Sequence, residues 1–167
     1  MVGTGAIGSR VAELCHLFGC EIAAYDLFPK KNAPEYLHYG TLEEVLSKSD
    51  IVTLHCPLTE DSRNLINQDR IAQMKKGAIL INAARGPIVD SKALADALNS
   101  GYLRGAGVDV FEMEPPLPMD HPLLHSINTI VTPHIAFASD ESMEIRAKIV
   151  FENIQKWMNK EQVNTIL

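Results

Sequence analysis

The sequence predicts an α/β fold with a doubly wound parallel sheet. Short apolar segments alternate with segments of helical periodicity along the 167 residues, and this alternation is typical of parallel sheets. Most of the apolar segments are nearly continuous and lack a period of two, as expected for strands that are buried on both faces. The predicted strands cover residues 21–25, 51–54, 78–82, 106–110 and 128–131.

Helices are predicted between these strands from periodicity and from capping signals. They cover residues 6–18, 42–47, 67–76, 92–99 and 140–158. Thr41 and Glu44 have the spacing of a capping box, and Asp90 is placed to cap the fourth helix. The last helix carries its apolar residues on one face. The proline-rich segment from Glu112 to His125 is expected to be a loop.

A glycine motif stands directly before the first predicted helix. Gly3, Gly5 and Gly8 have the G-x-G-x-x-G spacing, in which the glycines allow a tight turn, a close approach to a pyrophosphate and close helix–strand packing. The amino end of the helix would present free N–H groups and a positive dipole to the phosphates. Because only Met1 and Val2 precede the motif, the first strand of this Rossmann-type fold is expected to be truncated.

Asp26 stands at the end of the next predicted strand, 18 positions after Gly8 (26 − 8). A carboxylate near this distance can bind the adenosine ribose hydroxyls of a dinucleotide. It would repel the additional 2′-phosphate of NADP, so it favours NAD as the cofactor. The alternative is that Asp26 only caps a turn.

Polar or conformationally distinctive residues follow several predicted strands. They are Asp26, Pro57, Arg85, Asp109 and His134. In open α/β sheets the ligand binds beyond the carboxyl ends of the strands. Their shared placement therefore predicts one site at one edge of the sheet.

Two of these residues suit acid–base and carboxylate chemistry. Histidine titrates near neutrality, so His134 is a candidate proton donor and acceptor. The planar fork of Arg85 can hold a substrate carboxylate with two hydrogen bonds. Glu114, in the proline-rich segment, could orient the imidazole.

The alternatives to these assignments are structural. His134 could be an ordinary loop or core residue, and Arg85 could be a surface charge. Glu112 and Glu114 could be solvated loop carboxylates. His121 and His125 are the nearest rivals to His134, but neither follows a predicted strand, so they are interpreted as structural.

The composition excludes several classes of function. A net charge of −6 gives no reason to expect binding to nucleic acid or to an anionic membrane, and no apolar run approaches the roughly 20 residues of a membrane span. The three cysteines Cys15, Cys20 and Cys56 lack C-x-x-C spacing. They predict buried, reduced thiols in a cytoplasmic protein and no metal site.

These motifs together resemble the NAD-dependent D-isomer-specific 2-hydroxyacid dehydrogenases. The resemblance is carried, in order, by residues 3–8, 26, 55–59, 82–90, 107–115 and 132–136. It implies an NAD-binding domain over residues 1–158 and, over residues 159–167, the start of a return into a substrate domain. Members of the family are usually much longer, so the chain is expected to be the cofactor-binding part of an enzyme that forms a homodimer.

The resemblance also implies a role for each matching residue. Arg85 would bind the substrate carboxylate, His134 would be the acid and base, and Glu114 would orient it. Asp26 would hold the ribose, and Asp109 would meet the nicotinamide carboxamide. The other residues implied to bind the cofactor are Gly3, Gly5, Ala6, Ile7, Gly8, Pro57, Ala83, Ala84, Arg85 and His134.

The implied reaction is hydride transfer between NAD(H) and C2 of a small 2-hydroxy or 2-oxo acid. Which acid is used is not specified by these residues. A non-catalytic alternative is an NAD-dependent binding protein of the transcriptional corepressor type, because such proteins resemble this family and keep similar site residues.

Overall fold

A computed structural model describes residues 1–113 and 116–164 of the chain. The strands are β1 (Ile22–Ala24), β2 (Leu37–Tyr39), β3 (Ile51–Leu54), β4 (Ile79–Asn82), β5 (Gly105–Val108) and β6 (Thr129–Val131). The helices are α1 (Ala6–Leu17), α2 (Leu42–Lys48), α3 (Gln68–Gln73), α4 (Ser91–Asn99) and α5 (Asp140–Met158). Short 3-10 turns cover Gly86–Ile88 and Pro122–Leu124.

The strands pair in parallel throughout the described residues. β1 pairs with β2, and β3, β4, β5 and β6 form a second sheet in that order. Val2 joins the two sheets, because it bridges Tyr25 on one side and Leu54 on the other. Its N–H donates to the carbonyl of Thr53 at 2.9 Å, and its carbonyl accepts from the N–H of His55 at 2.7 Å. The predicted doubly wound parallel sheet is confirmed, and Val2 takes part in it through these isolated bridges.

Apart from shifts of one residue at several element ends, the structure differs from the predictions in three places. β2 was not predicted, because it is three residues long and buries only Leu37 completely. α3 was expected to continue to residue 76, but it ends at Gln73 because Met74 adopts an extended backbone conformation. β5 was expected to reach residue 110 and ends at Val108, so Asp109 lies just beyond the strand.

The main core lies between the four-stranded part of the sheet and helices α2 to α4. Its largest fully buried side chains include Leu46, Leu54, Leu80, Leu94 and Leu98. The capping predictions hold: Thr41 and Glu44 make reciprocal capping-box bonds, and Asp90 accepts from the N–H of Ala93 at 2.9 Å. Local signals in the sequence therefore set these helix starts correctly.

The chain divides into two compact units, Met1–His134 and Ile135–Leu167. The second unit contains α5, which begins at a reciprocal cap between Ser139 and Ser142. None of the residues of α5 is buried, and the predicted apolar face includes Phe151, which is 72% exposed. Among the described residues, no helix combines the length and hydropathy of a membrane-spanning segment.

The cysteines are unpaired thiols, but they are less buried than predicted. Cys15 and Cys56 are half-buried and Cys20 is exposed. Cys20 lies just past the end of α1, where the chain turns on Gly19 with a φ of +86°. The expectation of a buried side chain is wrong there because the turn lies at the surface.

Candidate active site

The glycine turn is enforced by its surroundings. Gly3 has a φ of +91°, and a Cβ on it would lie 2.6 Å from the backbone nitrogen of Cys56. A Cβ on Gly8 would overlap the carbonyl oxygen of Gly3. These two glycines therefore fit α1 tightly against the ends of the neighbouring strands, as the motif predicts.

Gly5 differs from these two glycines, because a Cβ built on it meets nothing within 4 Å. It is the N-cap of α1 and makes no side-chain cap, and the first turn of that helix has no acidic side chain. The first-turn N–H groups of α1, including those of Ala6 and Ile7, therefore receive no side-chain cap from this residue. A pyrophosphate fits this position in charge and in hydrogen bonding.

A cleft of about 330 Å³ opens beside Gly5. Such a volume lies within the range of about 300–1,000 Å³ that is usual for small-molecule pockets. Its lining includes Gly3, Gly5, Asp26, Phe28, Pro57 and Leu65. The structure thus brings together the glycine loop, the acidic residue and the proline that the sequence placed at three separate strand ends.

Asp26 is held in the cleft by hydrogen bonds to both of its carboxylate oxygens. Oδ2 accepts from the N–H of Thr4 at 2.6 Å and from the Thr4 hydroxyl at 2.8 Å, and Oδ1 accepts from the N–H of Phe28 at 2.9 Å. Burial raises the pKa of Asp26, but these hydrogen bonds lower it by a larger amount. The pKa of Asp26 therefore lies below the ordinary 3.8. Because Oδ1 accepts one of these hydrogen bonds, its second lone pair can also accept from a ribose hydroxyl.

Thr4, the hydrogen-bond partner of Asp26, has a further partner that sequence reasoning missed. The hydroxyl of Thr4 also bonds the hydroxyl of Tyr39 at 2.8 Å. Tyr39 belongs to β2, the strand that was not predicted, so no sequence signal placed it beside Asp26. The carboxylate therefore both caps a turn, the alternative considered above, and braces the glycine loop.

The wall of the cleft around Pro57 is held by a buried serine. Ser62 donates from its hydroxyl to the carbonyl of Pro57 at 2.7 Å and accepts from the N–H of Thr59 at 2.7 Å. Next to it, the His55 ring contacts the Thr53 hydroxyl at 3.0 Å, and burial lowers the pKa of His55. This histidine packs against the glycine turn, because its Cβ would lie 3.2 Å from a Cβ placed on Gly8.

The loop that carries Arg85 is fixed from below by Asn82, the last residue of β4. The Asn82 side chain is 1% exposed. Its Nδ2 donates to the carbonyl of Arg85 at 3.0 Å, and its Oδ1 accepts from the N–H of Ala84 at 3.1 Å. The Arg85 side chain is exposed and donates from Nη1 to the carbonyl of Ala84 at 2.6 Å. Asn82 is a positioning residue that the sequence assignments did not single out, although a buried amide at a strand end could have indicated it.

Asp109 and His134 lie at the next two strand ends. The carboxylate of Asp109 accepts from the Thr132 hydroxyl at 2.5 Å, and its carbonyl accepts from the N–H of His134 at 2.8 Å. His134 is half-buried and has a φ of +58°. A positive φ is uncommon outside glycine and, where it occurs, often marks a functional position.

Arg85 and His134 are connected by a continuous path of hydrogen bonds along the sheet edge. The Asn82 amide holds Arg85, the Asn82 carbonyl accepts from the N–H of Asp109 at 2.9 Å, and the Asp109 carbonyl accepts from His134. The two residues predicted to carry the chemistry are thus tied to one edge. Glu114, their third predicted partner, lies outside the described residues.

The nearest rival histidine has a different position. His121 is 5% exposed and contacts Glu112 Oε1 through Nε2 at 3.2 Å, while Ser91 donates to Glu112 Oε2 at 2.8 Å. Burial raises the pKa of Glu112, but its hydrogen bonds, with Ser91 and His121 as partners, lower it below the ordinary 4.5. The Glu112 side chain is 41% exposed, so it is a partly solvated loop carboxylate that also has two side-chain hydrogen-bond partners. Among residues 1–113 and 116–164, no group of three metal-ligating side chains comes together.

The parallel sheet, the glycine turn before a helix end without a side-chain cap, and the acidic residue define a dinucleotide-binding α/β domain. Residues 1–136 match the family described as D-isomer specific 2-hydroxyacid dehydrogenase, NAD binding domain. The chain belongs to this family, and its cofactor is NAD.

The relatives are enzymes of roughly twice the matched length. A glyoxylate reductase of Korarchaeum cryptofilum is 44% identical, and the match covers 92% of this chain and 47% of the reductase. A glycerate dehydrogenase of Methylorubrum extorquens is 39% identical, and the match covers 99% of this chain and 51% of the dehydrogenase. A crystal structure of Aquifex aeolicus D-lactate dehydrogenase complexed with NAD and lactic acid is 35% identical, with a TM-score of 0.88 over 96% of this chain and 53% of that one. The chain thus spans about half the length of the curated relatives it matches.

Proposed function

We propose that this chain is the cofactor-binding part of an oxidoreductase that moves a hydride between NAD(H) and C2 of a small 2-hydroxy or 2-oxo acid. The observation that carries the proposal is the hydrogen-bonded path that ties the Arg85 loop to His134 at one edge of the sheet. A carboxylate-binding cation and a proton donor beside a dinucleotide cleft are the groups that this reaction needs.

The cofactor is assigned to the cleft beside Gly5. The first-turn N–H groups of α1, at Ala6 and Ile7, would hold the pyrophosphate, and Asp26 would accept from the adenosine ribose hydroxyls. The ionised Asp26 carboxylate would repel a 2′-phosphate, which supports NAD over NADP. The bound cofactor would supply or accept the hydride at C2 of the acid.

The substrate carboxylate is assigned to Arg85. Its guanidinium is exposed, and a guanidinium stays charged at all relevant pH values. Asn82 fixes the backbone on which Arg85 stands, so the fork is presented from a rigid base. Ala83 and Ala84 are small and leave room beside it for the cofactor.

Proton transfer is assigned to His134. During reduction the imidazolium would give its proton to the oxygen on C2, and during oxidation the neutral ring would take that proton back. Glu114 would orient the ring by hydrogen bonding, in the way that a carboxylate orients a catalytic histidine. Asp109, on the same hydrogen-bonded path, would meet the nicotinamide carboxamide.

The first experiment measures NADH binding to this chain by calorimetric titration. Saturable binding that is lost on replacing Asp26 by Ala supports the cofactor assignment, and absence of binding by the wild-type chain contradicts it. NADPH is titrated in parallel and is expected to bind more weakly.

The second experiment measures turnover of glyoxylate, hydroxypyruvate and pyruvate, the acids suggested by the relatives' names. It uses a chain extended by the segments that the relatives possess beyond the match. His134→Gln is expected to lower kcat by about 100-fold or more, with NADH affinity retained. Arg85→Gln is expected to raise KM for the acid. His38→Gln, at an exposed position of β2, is the matched control.

Turnover also separates the enzyme from a binding protein of the corepressor type. The relatives named above are reductases and dehydrogenases, which does not favour the corepressor alternative. Near-normal kcat in His134→Gln would contradict the acid–base assignment. An extended chain that binds NADH tightly and reduces none of the acids would favour the alternative.

A further inference from the structure

The carboxyl end of α1 carries two cysteines that have no part in the proposed reaction. Cys15 lies in the last turn of this helix, which ends at Leu17, and Cys20 lies three residues beyond that end (20 − 17). Gly19 has a φ of +86°, the left-handed conformation in which many helices end. The two cysteines therefore stand on either side of a helix terminus.

The hydrogen bonds at this terminus are those of a Schellman motif. The N–H of Cys20 donates to the carbonyl of Cys15 at 3.0 Å, and the N–H of Gly19 donates to the carbonyl of His16 at 2.8 Å. In this motif the side chains at the positions of Cys15 and Cys20 frequently contact each other. Backbone hydrogen bonds therefore hold the two cysteines side by side.

The separation of Cys15 and Cys20 fits a disulfide. Standard bond lengths and the 3.0 Å hydrogen bond between their backbones put the two Cα atoms at most about 7 Å apart. The bond angles bring them closer than this limit. Disulfides usually span Cα separations of about 4.4–6.8 Å. The bond can therefore be closed by rotating two short side chains, without unwinding α1.

The surroundings hold the helix end in place and leave one thiol accessible. Cys15 is half-buried and packs against the core cluster that contains Ile22. The His16 ring stacks on the Tyr36 ring, with centroids 4.2 Å apart and an interplanar angle of 9°. Cys20 is exposed. An oxidant can therefore reach Cys20 while Cys15 lies beside it as the second thiol.

Cys56, the third cysteine, has a different environment. It is half-buried in the wall of the cleft, where burial raises the pKa of its thiol. A thiol reacts as the thiolate, so a raised pKa lowers its reactivity. Cys56 is therefore the internal reference for a thiol that is not oxidised.

We propose that Cys15 and Cys20 form a redox-sensitive site that closes into a reversible disulfide. The thiolate of Cys20 attacks a small disulfide oxidant such as glutathione disulfide, which gives a mixed disulfide and releases one glutathione thiol. The thiolate of Cys15 then displaces the second glutathione and forms the bond between the two protein sulfurs. The protein loses two electrons and two protons, and the oxidant is reduced to two thiols.

The disulfide ties the end of α1 to the segment that leads into β1. It restricts the unfolded chain, so the oxidised form is the more stable of the two. Gly5 and Cys15 are ten positions apart (15 − 5), about 15 Å along the helix. The redox site is thus separate from the cofactor cleft and does not depend on the proposed function.

The test incubates the reduced chain with glutathione disulfide and then measures its intact mass and its free thiols under denaturing conditions. The mass is expected to fall by two hydrogen atoms, and the three free thiols are expected to become one. The midpoint of thermal unfolding is expected to rise by about 5 °C. Dithiothreitol is expected to reverse all three changes.

Single replacements identify the thiols that react. Cys56→Ser is the matched control and is expected to lose two hydrogen atoms as the wild type does. Cys20→Ser, at an exposed position, is expected to prevent this loss. Cys15→Ser is expected to stop the reaction at the mixed disulfide, so that the mass rises by one glutathionyl group on Cys20.

Four results would overturn the proposal. They are a stable glutathione adduct on the wild-type chain, a disulfide between two copies of the chain, a disulfide that includes Cys56, and three thiols that survive the oxidant. Peptide mapping without reduction distinguishes the first three from the expected bond between Cys15 and Cys20.

Discussion

The two halves of the candidate site are held in different ways. At the glycine loop, hydrogen bonds fix the functional side chain itself, because both oxygens of Asp26 accept from Thr4 or Phe28. In the half that contains Arg85 and His134, hydrogen bonds fix the backbone instead. The Asn82 side chain bonds the Arg85 carbonyl, and the Asp109 carbonyl accepts from the N–H of His134.

This difference indicates what each half does before ligands bind. The half proposed to bind the cofactor presents a fixed carboxylate and a helix N-terminus without a side-chain cap, so we expect it to be organised before the cofactor binds. In the half proposed to bind the substrate, hydrogen bonds fix the backbone of two residues, and the Arg85 guanidinium is exposed. Disturbing the first half should cost stability and cofactor binding together, whereas disturbing the second should affect the acid more than the cofactor.

The largest effect is expected from Gly3→Ala. The new Cβ would meet the backbone of Cys56 at 2.6 Å, at a φ of +91°, and neither neighbour can move without separating the Val2 bridge. We expect a loss of about 3 kcal/mol or more in unfolding free energy, measured by urea denaturation. Gly5→Ala, where the Cβ has open space, is expected to change stability by only about 1 kcal/mol but to abolish NADH binding. Equal stability losses in the two variants would contradict the assignment of a packing role to Gly3 and a cofactor-binding role to Gly5.

Asn82→Ala tests the backbone-held half. It would leave the Arg85 carbonyl and the Ala84 N–H without their buried partner, at a cost of about 1–3 kcal/mol. NADH affinity should change little, while KM for the 2-oxo acid in the extended chain should rise. Asn67→Ala is the matched control, because Asn67 also bonds a backbone N–H, that of Arg70 at 3.0 Å, away from the site. If KM for the 2-oxo acid also rises in Asn67→Ala, the effect of Asn82→Ala is explained by general destabilisation and not by the position of Arg85.

Asp26→Asn tests the side-chain-held half through pH. Because the folded-state pKa of Asp26 is lowered, its contribution to stability is present above the unfolded-state pKa and is lost as the pH falls through the folded value. We expect the wild type to exceed Asp26→Asn by about 1 kcal/mol at neutral pH. The difference should shrink below the ordinary value of 3.8. Urea denaturation over an acidic pH series measures it, and a difference independent of pH would contradict the charge-based account.

The smallest effect is expected from Tyr39→Phe. The Thr4 hydroxyl keeps its bond to Asp26, so the loss of the Tyr39 hydroxyl should cost less than about 0.5 kcal/mol. Tyr102→Phe is the comparison, because its hydroxyl bonds the carbonyls of Ala72 and Met74 at 2.8 and 2.7 Å. Thermal unfolding should rank Tyr102→Phe as the more damaging. A large loss of NADH affinity in Tyr39→Phe would mean that the position of the Asp26 carboxylate depends on the Tyr39 hydroxyl as well as on the Thr4 hydroxyl.

Much of the fold was predictable because its signals are local. The capping box at Thr41, the cap at Asp90 and the span of α5 follow from residues within a few positions of one another. The glycine spacing and the residues after each strand likewise predicted where the site lies. β2 escaped prediction because a three-residue strand with one buried side chain has no periodicity to detect.

The sequence by itself determined the fold class, the glycine turn before α1 and the strand ends that carry the candidate residues. It also marked Asp26, Arg85 and His134 as candidates for the chemistry. Only the tertiary structure decided which polar groups hold them: Thr4, backed by Tyr39, holds Asp26, Asn82 holds the Arg85 backbone, and the Asp109 carbonyl holds the His134 backbone. The reason is that such partners lie far apart in the chain and meet only through the order and register of parallel strands, which no short stretch of sequence specifies.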